Sequence, residues 1–501
     1  MKVLVTGGTG VVGSALVREL HRRGHAVRVL SRSAREASPW WPSEVEAFEG
    51  DVSDERSLRG AGDGCQAIVH AAGIATEEPP ERTFQRVNID GTRYVVLEAE
   101  RAGVERVVFV SSLGADRGQS AYHKSKLVAE DVVRAFTRDW VIVRPGAVYG
   151  PGDEHVSVLL RMVRSLPIVP TIGDGTQRFQ PIWHEDLARA VATVVEQPEL
   201  RCRVLEVAGP DVTSQNDLLA RLRALTGRVA PQAPVPETVA SWGLRALQAI
   251  GIDAPIGQAQ LQMLREGNVI PADRVNALGD VLGVAPTHLA DGLARLVNEQ
   301  LDQLPSEGTG TMRRRRYWVD LHGARFDADA LFDYLKEHFS ELLPPSVAVA
   351  ARSDPASTAA SPLAVGQTLT LEIPVRGQVQ VRVAEAGERR LTMLTVAGHP
   401  IAGAVRFQTE PLAGAVRFEI QAYVRAASAV DEVLLRAGGD WVQRASWISM
   451  VRNVARAAGV PDAEVSTADD ALDSDELDLV DRWASTLSAD LVVSKDDVER
   501  A

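Results

Sequence analysis

The segment Val3-Leu4-Val5-Thr6-Gly7-Gly8-Thr9-Gly10-Val11-Val12-Gly13 constrains the fold more than any other part of the chain. An apolar β-rich run enters a turn of small residues, and a helix-compatible stretch leaves it. In such a unit Gly7 permits the tight turn, Gly10 lets the backbone approach a pyrophosphate, and Gly13 lets the helix pack closely on the strand. The helix N-terminus then presents N–H donors and the positive end of its dipole to phosphates. This order predicts a dinucleotide site that includes Thr9 and Val11.

Beyond the loop, the sequence fits a doubly wound α/β sheet. Short β-rich runs at 2–6, 26–30, 45–48, 67–71, 106–111 and 140–145 alternate with helical stretches such as 11–23, 81–102 and 121–138. Most of the runs are continuously apolar, as strands buried on both faces of a parallel sheet are. Alternation of strand and helix implies right-handed crossovers. The expected nucleotide-binding domain is 1–225. A small, mainly helical substrate lobe is expected over 226–303, with parts of 146–180.

Residues 304–310 (LPSEGTG) read as a linker. Beyond it LTLEIPV (369–375), VQVRV (379–383) and VRFEIQAYV (416–424) alternate apolar and polar with period two. That marks half-buried antiparallel strands, so 311–460 is expected to be a separate α+β domain, its sheet curved over a helix. The Ala/Ser/Pro-rich stretch 344–366 reads as a loose insertion. Residues 461–501 carry 13 acids against three basic residues and read as a solvated, partly helical acidic tail.

Composition closes other routes. A net charge of -13 argues against a nucleic-acid partner, since polyanions are held by positive surfaces. The Arg313–Arg316 run does not change that; it reads as a strand face. Two cysteines, Cys65 and Cys202, are too few for a disulfide framework or a cysteine zinc site. No metal-ligand cluster is present, and no apolar run approaches the length of a membrane span. Met1-Lys2 leads straight into a strand with no signal peptide, and the expected setting is cytoplasmic.

Tyr122 and Lys126 stand four apart in Tyr122-His123-Lys124-Ser125-Lys126, which puts them on one face of a helix. Only five residues of 501 are lysines, so a chance pair is rare. A nearby ammonium is expected to lower the tyrosine pKa and suit Tyr122 to acid–base work as a hydride moves. A serine hydroxyl at the end of the preceding strand would complete the set. Ser112 is favoured there, with Ser111 the alternative.

Read together, these motifs resemble the short-chain dehydrogenase/reductase family, in its extended or atypical branch, over residues 1 to about 300. The loop spacing is TGxxGxxG. Gly50-Asp51-Val52 resembles the adenine-contacting segment, with Asp51 accepting from the adenine amino group. His70-Ala71-Ala72-Gly73 resembles the turn beside the cofactor ribose. Asn88 in VNIDGT resembles the family's helix asparagine, and Arg144-Pro145-Gly146-Ala147-Val148-Tyr149-Gly150 the segment beside the nicotinamide. The resemblance also implies that Lys126 binds the nicotinamide ribose. The short Ser112–Tyr122 separation is similar to that of the branch near the oxidoreductase-like accessory subunit of respiratory complex I.

The second strand ends in Ser31 and Arg32, with no acid for a ribose 2′-hydroxyl. Arg32, helped by Arg35, suits a 2′-phosphate, so NADP(H) is expected in preference to NAD(H). His184, Glu185 and Asp186 read as the acid-rich start of a helix. His70 reads as part of a strand-end turn, and Trp40-Trp41-Pro42 as a packed loop.

Residues 395–428, with Gly398-His399-Pro400 and the Trp441-Val442-Gln443-Arg444 helix, resemble an uncharacterised bacterial domain family. The resemblance implies a helix-grip-like fold. Such a sheet is expected to enclose an apolar cavity of roughly several hundred Å³. His399 and Arg406 are expected to be a turn histidine and a strand-face arginine.

The function these features predict is an NAD(P)-dependent oxidoreductase or epimerase-like enzyme, with Tyr122, Lys126 and Ser112 catalytic. Its substrate would be an apolar carbonyl or a sugar nucleotide. The alternative is a non-catalytic NADPH-binding sensor or assembly protein joined to a ligand-binding domain.

Overall fold

The structure, a computed structural model, describes residues 1–38, 41–166, 168–172, 174–228, 231–235, 268–352, 362–373, 377–428, 431–432 and 440–500. The chain divides into two compact units, Met1–Leu160 with Ile168–Val297, and Asn298–Ala501 with Arg161–Pro167.

The first unit is built on β1 (Lys2–Thr6), α1 (Val11–Arg22), β2 (Ala26–Ser31), β3 (Glu46–Glu49), β4 (Ala67–His70), α2 (Gly91–Ala102), β5 (Arg106–Val110), α3 (Ala121–Arg134), β6 (Asp139–Pro145), α4 (His184–Glu196) and β7 (Arg203–Val207). The strands form one sheet in the order β7-β6-β5-β4-β1-β2-β3, and every pairing is parallel. Period two sorts their side chains between two cores. Val3, Val5, Val29, Val69, Val108 and Val143 pack with α1 and α4 on one face. Leu4, Leu30, Ile68, Val107, Phe109 and Ile142 pack with α2 and α3 on the other. Burying each such side chain contributes about 1.5–3 kcal/mol, which is why the strands read as unbroken apolar runs.

The chain leaves β1 toward β2 on one side, while β4 pairs β1 on the other. That is the switch point of an open α/β sheet, where a crevice forms at the carboxyl ends of the strands. Gly7–Gly13, Ala71–Gly73, Ser111–Ser112 and Pro145 all follow or end strands at that edge.

Much of the expected helical lobe, residues 236–267, lies outside the described residues. The described part beyond it contains helices at Ala277–Asp280 and Leu289–Asn298. Trp40 also lies outside the described residues, and Trp41 is buried in the first core.

The second unit contains β8 (Thr309–His322), α5 (Ala328–Glu337), β9 (Ala348–Arg352), β10 (Thr368–Ile373), β11 (Gly377–Ala386), β12 (Arg390–Thr395), β13 (Ile401–Leu412), β14 (Ala415–Ala426), α6 (Asp440–Ala457), β15 (Ser466–Ala471) and α7 (Ser474–Arg500). Its eight strands pair antiparallel in the order β9-β10-β11-β12-β13-β14-β8-β15. One face packs on α5 and α6 through Phe332, Phe407, Phe418 and Met450. Phe339 meets Phe407 edge-on at 5.5 Å, and Phe407 meets Trp447 at 5.9 Å. Packed rings therefore occupy described parts of the face where an apolar cavity was expected. Within the expected insertion, Ala348–Arg352 is a strand, and 353–361 lie outside the described residues.

Residues 461–501 differ from the solvated tail expected of their charge. Ser466–Ala471 pairs with Arg313–Trp318 as an edge strand. Arg313 Nε donates to Asp469 at 2.7 Å, and Arg314 lies 3.5 Å from Glu476. Arg313, Arg314 and Arg315 thus pair with Asp469, Asp470 and Glu476 along one ladder. Ala484 of α7 is buried against Ala384, Leu394 and Ala404 on the sheet's other face. His399 Nδ1 accepts from the Ile401 amide at 3.1 Å, closing a turn. Arg406 donates to Thr392 at 3.2 Å and stacks on Trp483 at 4.5 Å.

Candidate active site

The glycine loop is shaped by close backbone approaches. Gly7 has φ +74°, a left-handed conformation, and an added Cβ would lie 2.8 Å from Ala72 Cα. A Cβ on Gly13 would lie 2.1 Å from the Gly7 carbonyl oxygen. Gly10 is different, since a Cβ there would meet only that same oxygen, at 3.5 Å. Its missing side chain leaves space where the loop caps α1, so the loop fits a pyrophosphate. Gly8 was not singled out by sequence reasoning, yet a Cβ there would strike Val29 Cγ1 at 2.4 Å.

Around the loop, Thr9 Oγ1 and Ser31 Oγ are 3.1 Å apart. Arg32 is exposed and, among the described residues, in no ion pair. Arg35 lies 3.3 Å from Glu49. Asp51 Oδ1 accepts from the amide and hydroxyl of Ser53, both at 2.8 Å, and Val52 is buried beneath.

The helix α3 begins at Ser120, whose hydroxyl accepts from the His123 amide at 3.2 Å. Tyr122 and Lys126 lie one turn apart beyond this cap. Ser112 lies near the Tyr122 hydroxyl, while its own Oγ donates to the Leu113 carbonyl at 3.4 Å. Ser111 points elsewhere, donating to Glu130 Oε1 at 2.7 Å. Lys126 Nζ donates to the Val110 carbonyl at 3.2 Å and lies 5.1 Å from the Phe109 ring centre. Phe84 meets Tyr122 edge-on at 6.1 Å.

Asn88 ties these parts together from a π-helical turn at Gln85–Asp90. Its Oδ1 accepts from the Ile74 amide at 2.9 Å. Its Nδ2 donates to the Ile74 carbonyl and to Ser125 Oγ, both at 3.0 Å. Ser125 in turn donates to the Tyr122 carbonyl at 2.7 Å.

The expected depression of the Tyr122 pKa is corrected by this arrangement. Burial pushes the phenol above its ordinary value; the nearby Ser112 side chain opposes this, and the Glu154 charge adds to the rise. Lys126 does not counter it, because its ammonium is turned to the Val110 carbonyl. Burial lowers Lys126 to about 8, against the pull of Glu130.

Of the neighbouring histidines and acids, His70, Glu185 and Asp186 have internal hydrogen-bond or ion-pair partners. His70 bridges Thr6 at 2.7 Å and Thr92 at 3.0 Å, and burial drops its pKa to about 3. His184 opens α4 and packs on Gly150, where a Cβ would lie 2.3 Å from the ring. Glu185 pairs with Arg295 at 2.9 and 3.0 Å, and Asp186 accepts from the Thr287 amide at 2.6 Å. Among the described residues no group of three or more His, Cys, Asp or Glu could hold a metal. Pro145 and Val148 lie at the end of β6 and just beyond it; Val148 packs partly buried on the first core. A separate cavity of about 300 Å³ is lined by Arg144, Glu206, Arg274 and Val275, among others, and by none of Tyr122, Lys126 and Ser112.

A parallel sheet with a glycine loop at its switch point defines a dinucleotide-binding α/β domain. The chain belongs to the NAD dependent epimerase/dehydratase family, whose model matches residues 3–207. It is 33% identical over 263 residues to Sterol demethylase protein B of Methylococcus capsulatus, covering 47% of this chain and 78% of that protein. It is 38% identical over 199 residues to Ceramide reductase of Caulobacter vibrioides, covering 40% of this chain and 62% of that one. A 3 beta-hydroxysteroid dehydrogenase/Delta 5-->4-isomerase of Mycobacterium tuberculosis is 35% identical over 182 residues, covering 30% of this chain and 48% of that protein. Among solved structures, MoeE5 in complex with UDP-glucose and NAD is 26% identical with a TM-score of 0.46, covering 59% of this chain and 97% of that one. Among the described residues no helix is long and apolar enough to cross a membrane.

Proposed function

We propose that the first unit is an NADP(H)-dependent reductase of an apolar carbonyl compound, with Ser112, Tyr122 and Lys126 as its catalytic group. The observation that carries this reading is the placement of Tyr122 one helical turn from buried Lys126, with buried Ser112 at the end of β5, at the carboxyl edge of the sheet.

When bound, the nicotinamide supplies or accepts the hydride. The chain's own residues handle the oxygen. Ser112 Oγ donates to the substrate carbonyl and orients it. Tyr122 Oη donates the proton that the reduced oxygen takes up. Lys126, one helical turn from Tyr122, would hold the nicotinamide ribose. The Phe84 ring beside Tyr122 gives the site an apolar wall.

The apolar substrate class is supported by that wall and by relatives named for ceramide and steroid, both largely hydrocarbon molecules. The NADP(H) preference is supported by Arg32 and by the absence of an acid after β2. In the second unit, the packing of Phe332, Phe407 and Phe418 supports a structural role for its core.

The test is turnover of a panel of hydrophobic ketones with NADPH by the full chain and by Tyr122→Phe. We expect the variant to lose about 10²–10⁴ in kcat with NADPH affinity unchanged. Retained affinity with no ketone reduced by either protein would favour the sensor reading instead.

A further inference from the structure

Glu130 is fully buried on α3, one turn beyond Lys126. Its carboxylate is saturated. Oε1 accepts from Ser111 Oγ at 2.7 Å and Arg144 Nε at 2.8 Å. Oε2 accepts from Arg144 Nη2 and Arg134 Nη2, both at 2.7 Å. Arg144 is itself held, lying 2.8 Å from Asp116, which also accepts from Arg274 at 2.7 Å. A buried carboxylate costs a great deal unless it is paired and hydrogen-bonded, and here every bond is made.

Resting on the function proposed above, we propose that Glu130 is a positioning residue for this site. It ties Ser111 to α3, so that the strand end carrying Ser112 is held against the helix that carries Tyr122 and Lys126, and its carboxylate stands one helical turn from Lys126. Consecutive residues at a strand end point to opposite sides. Fixing Ser111 toward Glu130 therefore sets Ser112 to the other side. The same carboxylate bridges the two elements that carry the reacting groups, β5 with its Ser111–Ser112 extension, and α3.

Lys126 has few other partners to govern its proton. Tyr122 and Glu130 share its helix. From β4 it faces His70, which burial keeps neutral. From β5 it faces the Val110 carbonyl and the Phe109 ring. Asn88 Oδ1 and Lys126 Nζ both border Gly73. Of these, Glu130 is the group whose charge opposes the effect of burial.

The experiment tracks Lys126 in the full chain by NMR, using lysine labelled with ¹³C at Cε, alongside the pH dependence of ketone reduction. In Glu130→Gln the Lys126 titration, and with it the alkaline limb of kcat/KM, should move acidward by about one pH unit. In Ser111→Ala the titration should stay in place while kcat falls about three- to tenfold, from loss of one hydrogen bond. If Glu130→Gln does not fold because Arg144 is left unpaired, E130Q/R144Q replaces the ion pair by two amides and should show the same acidward shift. An unmoved Lys126 titration in the folded variant would overturn the charge role, and unchanged kcat in Ser111→Ala the positioning role. Should no ketone be reduced at all, the functional reading fails, and the NMR titration still decides whether Glu130 governs Lys126.

Discussion

Lys126 Nζ lies 2.9 Å from where a Cβ on Gly73 would stand, so the turn after β4 and the helix α3 meet with no room for another atom. Asn88 Oδ1 is 3.3 Å from the same point. Gly73→Ala would therefore push the ammonium aside. The lysine end is flexible, so the fold should survive with a small change in Tm. Catalysis should drop by about tenfold or more in kcat/KM, equivalent to about 1.4 kcal/mol of lost transition-state stabilisation. Steady-state kinetics beside thermal unfolding separate the two effects; a variant as active as the parent would remove Lys126 from the site.

Gly10 and Gly13 should respond differently to alanine. At Gly13 the new Cβ would fall 2.1 Å from a backbone oxygen, forcing α1 away from the loop. Gly13→Ala should lower Tm by several degrees, a destabilisation of about 1–3 kcal/mol. At Gly10 the space is open, so Gly10→Ala should keep the parent Tm without nucleotide and lose the stabilisation that NADPH confers. Thermal shift with and without NADPH reads both.

Arg32 is exposed and free of ion pairs among the described residues, so a bound 2′-phosphate would be its partner. Arg32→Ala should weaken NADPH by about tenfold and leave NADH nearly unchanged. The NADPH affinity of the parent should also fall with added salt more steeply than its NADH affinity. Calorimetric titration with both cofactors measures this; equal loss for both would assign Arg32 another role.

Buried His70 gives a pH dependence of defined sign. Its pKa is about 3 in the folded chain against an ordinary 6.5, because burial penalises the imidazolium. The unfolded chain therefore binds one more proton between those values. Stability from His70 is fully present above about pH 6.5 and is lost as pH falls toward 3. Denaturant unfolding should become easier over that window, and His70→Asn should flatten the slope while lowering stability at pH 7. Identical slopes in parent and variant would show that other groups set the acid limit.

The first unit was legible in the sequence because its signals are local. A strand buried on both faces must be apolar along its central run, as Val3–Val5, Ala67–Val69, Val107–Val110 and Val141–Val143 are. A tight turn against another backbone requires glycine, and Gly7 stands against Ala72. A tyrosine and a lysine four apart share a helix face whatever surrounds them. The choice between Ser111 and Ser112 was not local, since it turns on which hydroxyl meets Glu130.

Charge was the weaker guide. Thirteen acids near the chain's end read as a solvated tail because composition carries no pairing information. Three of them, Asp469, Asp470 and Glu476, pair with Arg313, Arg314 and Arg315, roughly 150 residues earlier, where the same chain reads as an ordinary strand face.

The sequence by itself therefore determined the nucleotide loop, the doubly wound sheet and the spacing of Tyr122 and Lys126, because each arises from backbone sterics and short-range periodicity. Only the tertiary structure decided that Lys126 turns to the Val110 carbonyl, and that Glu130 binds Ser111 and Arg144 together. Those relations depend on burial and on groups far apart in the chain, and burial exists only once the sheet and helices have closed around them.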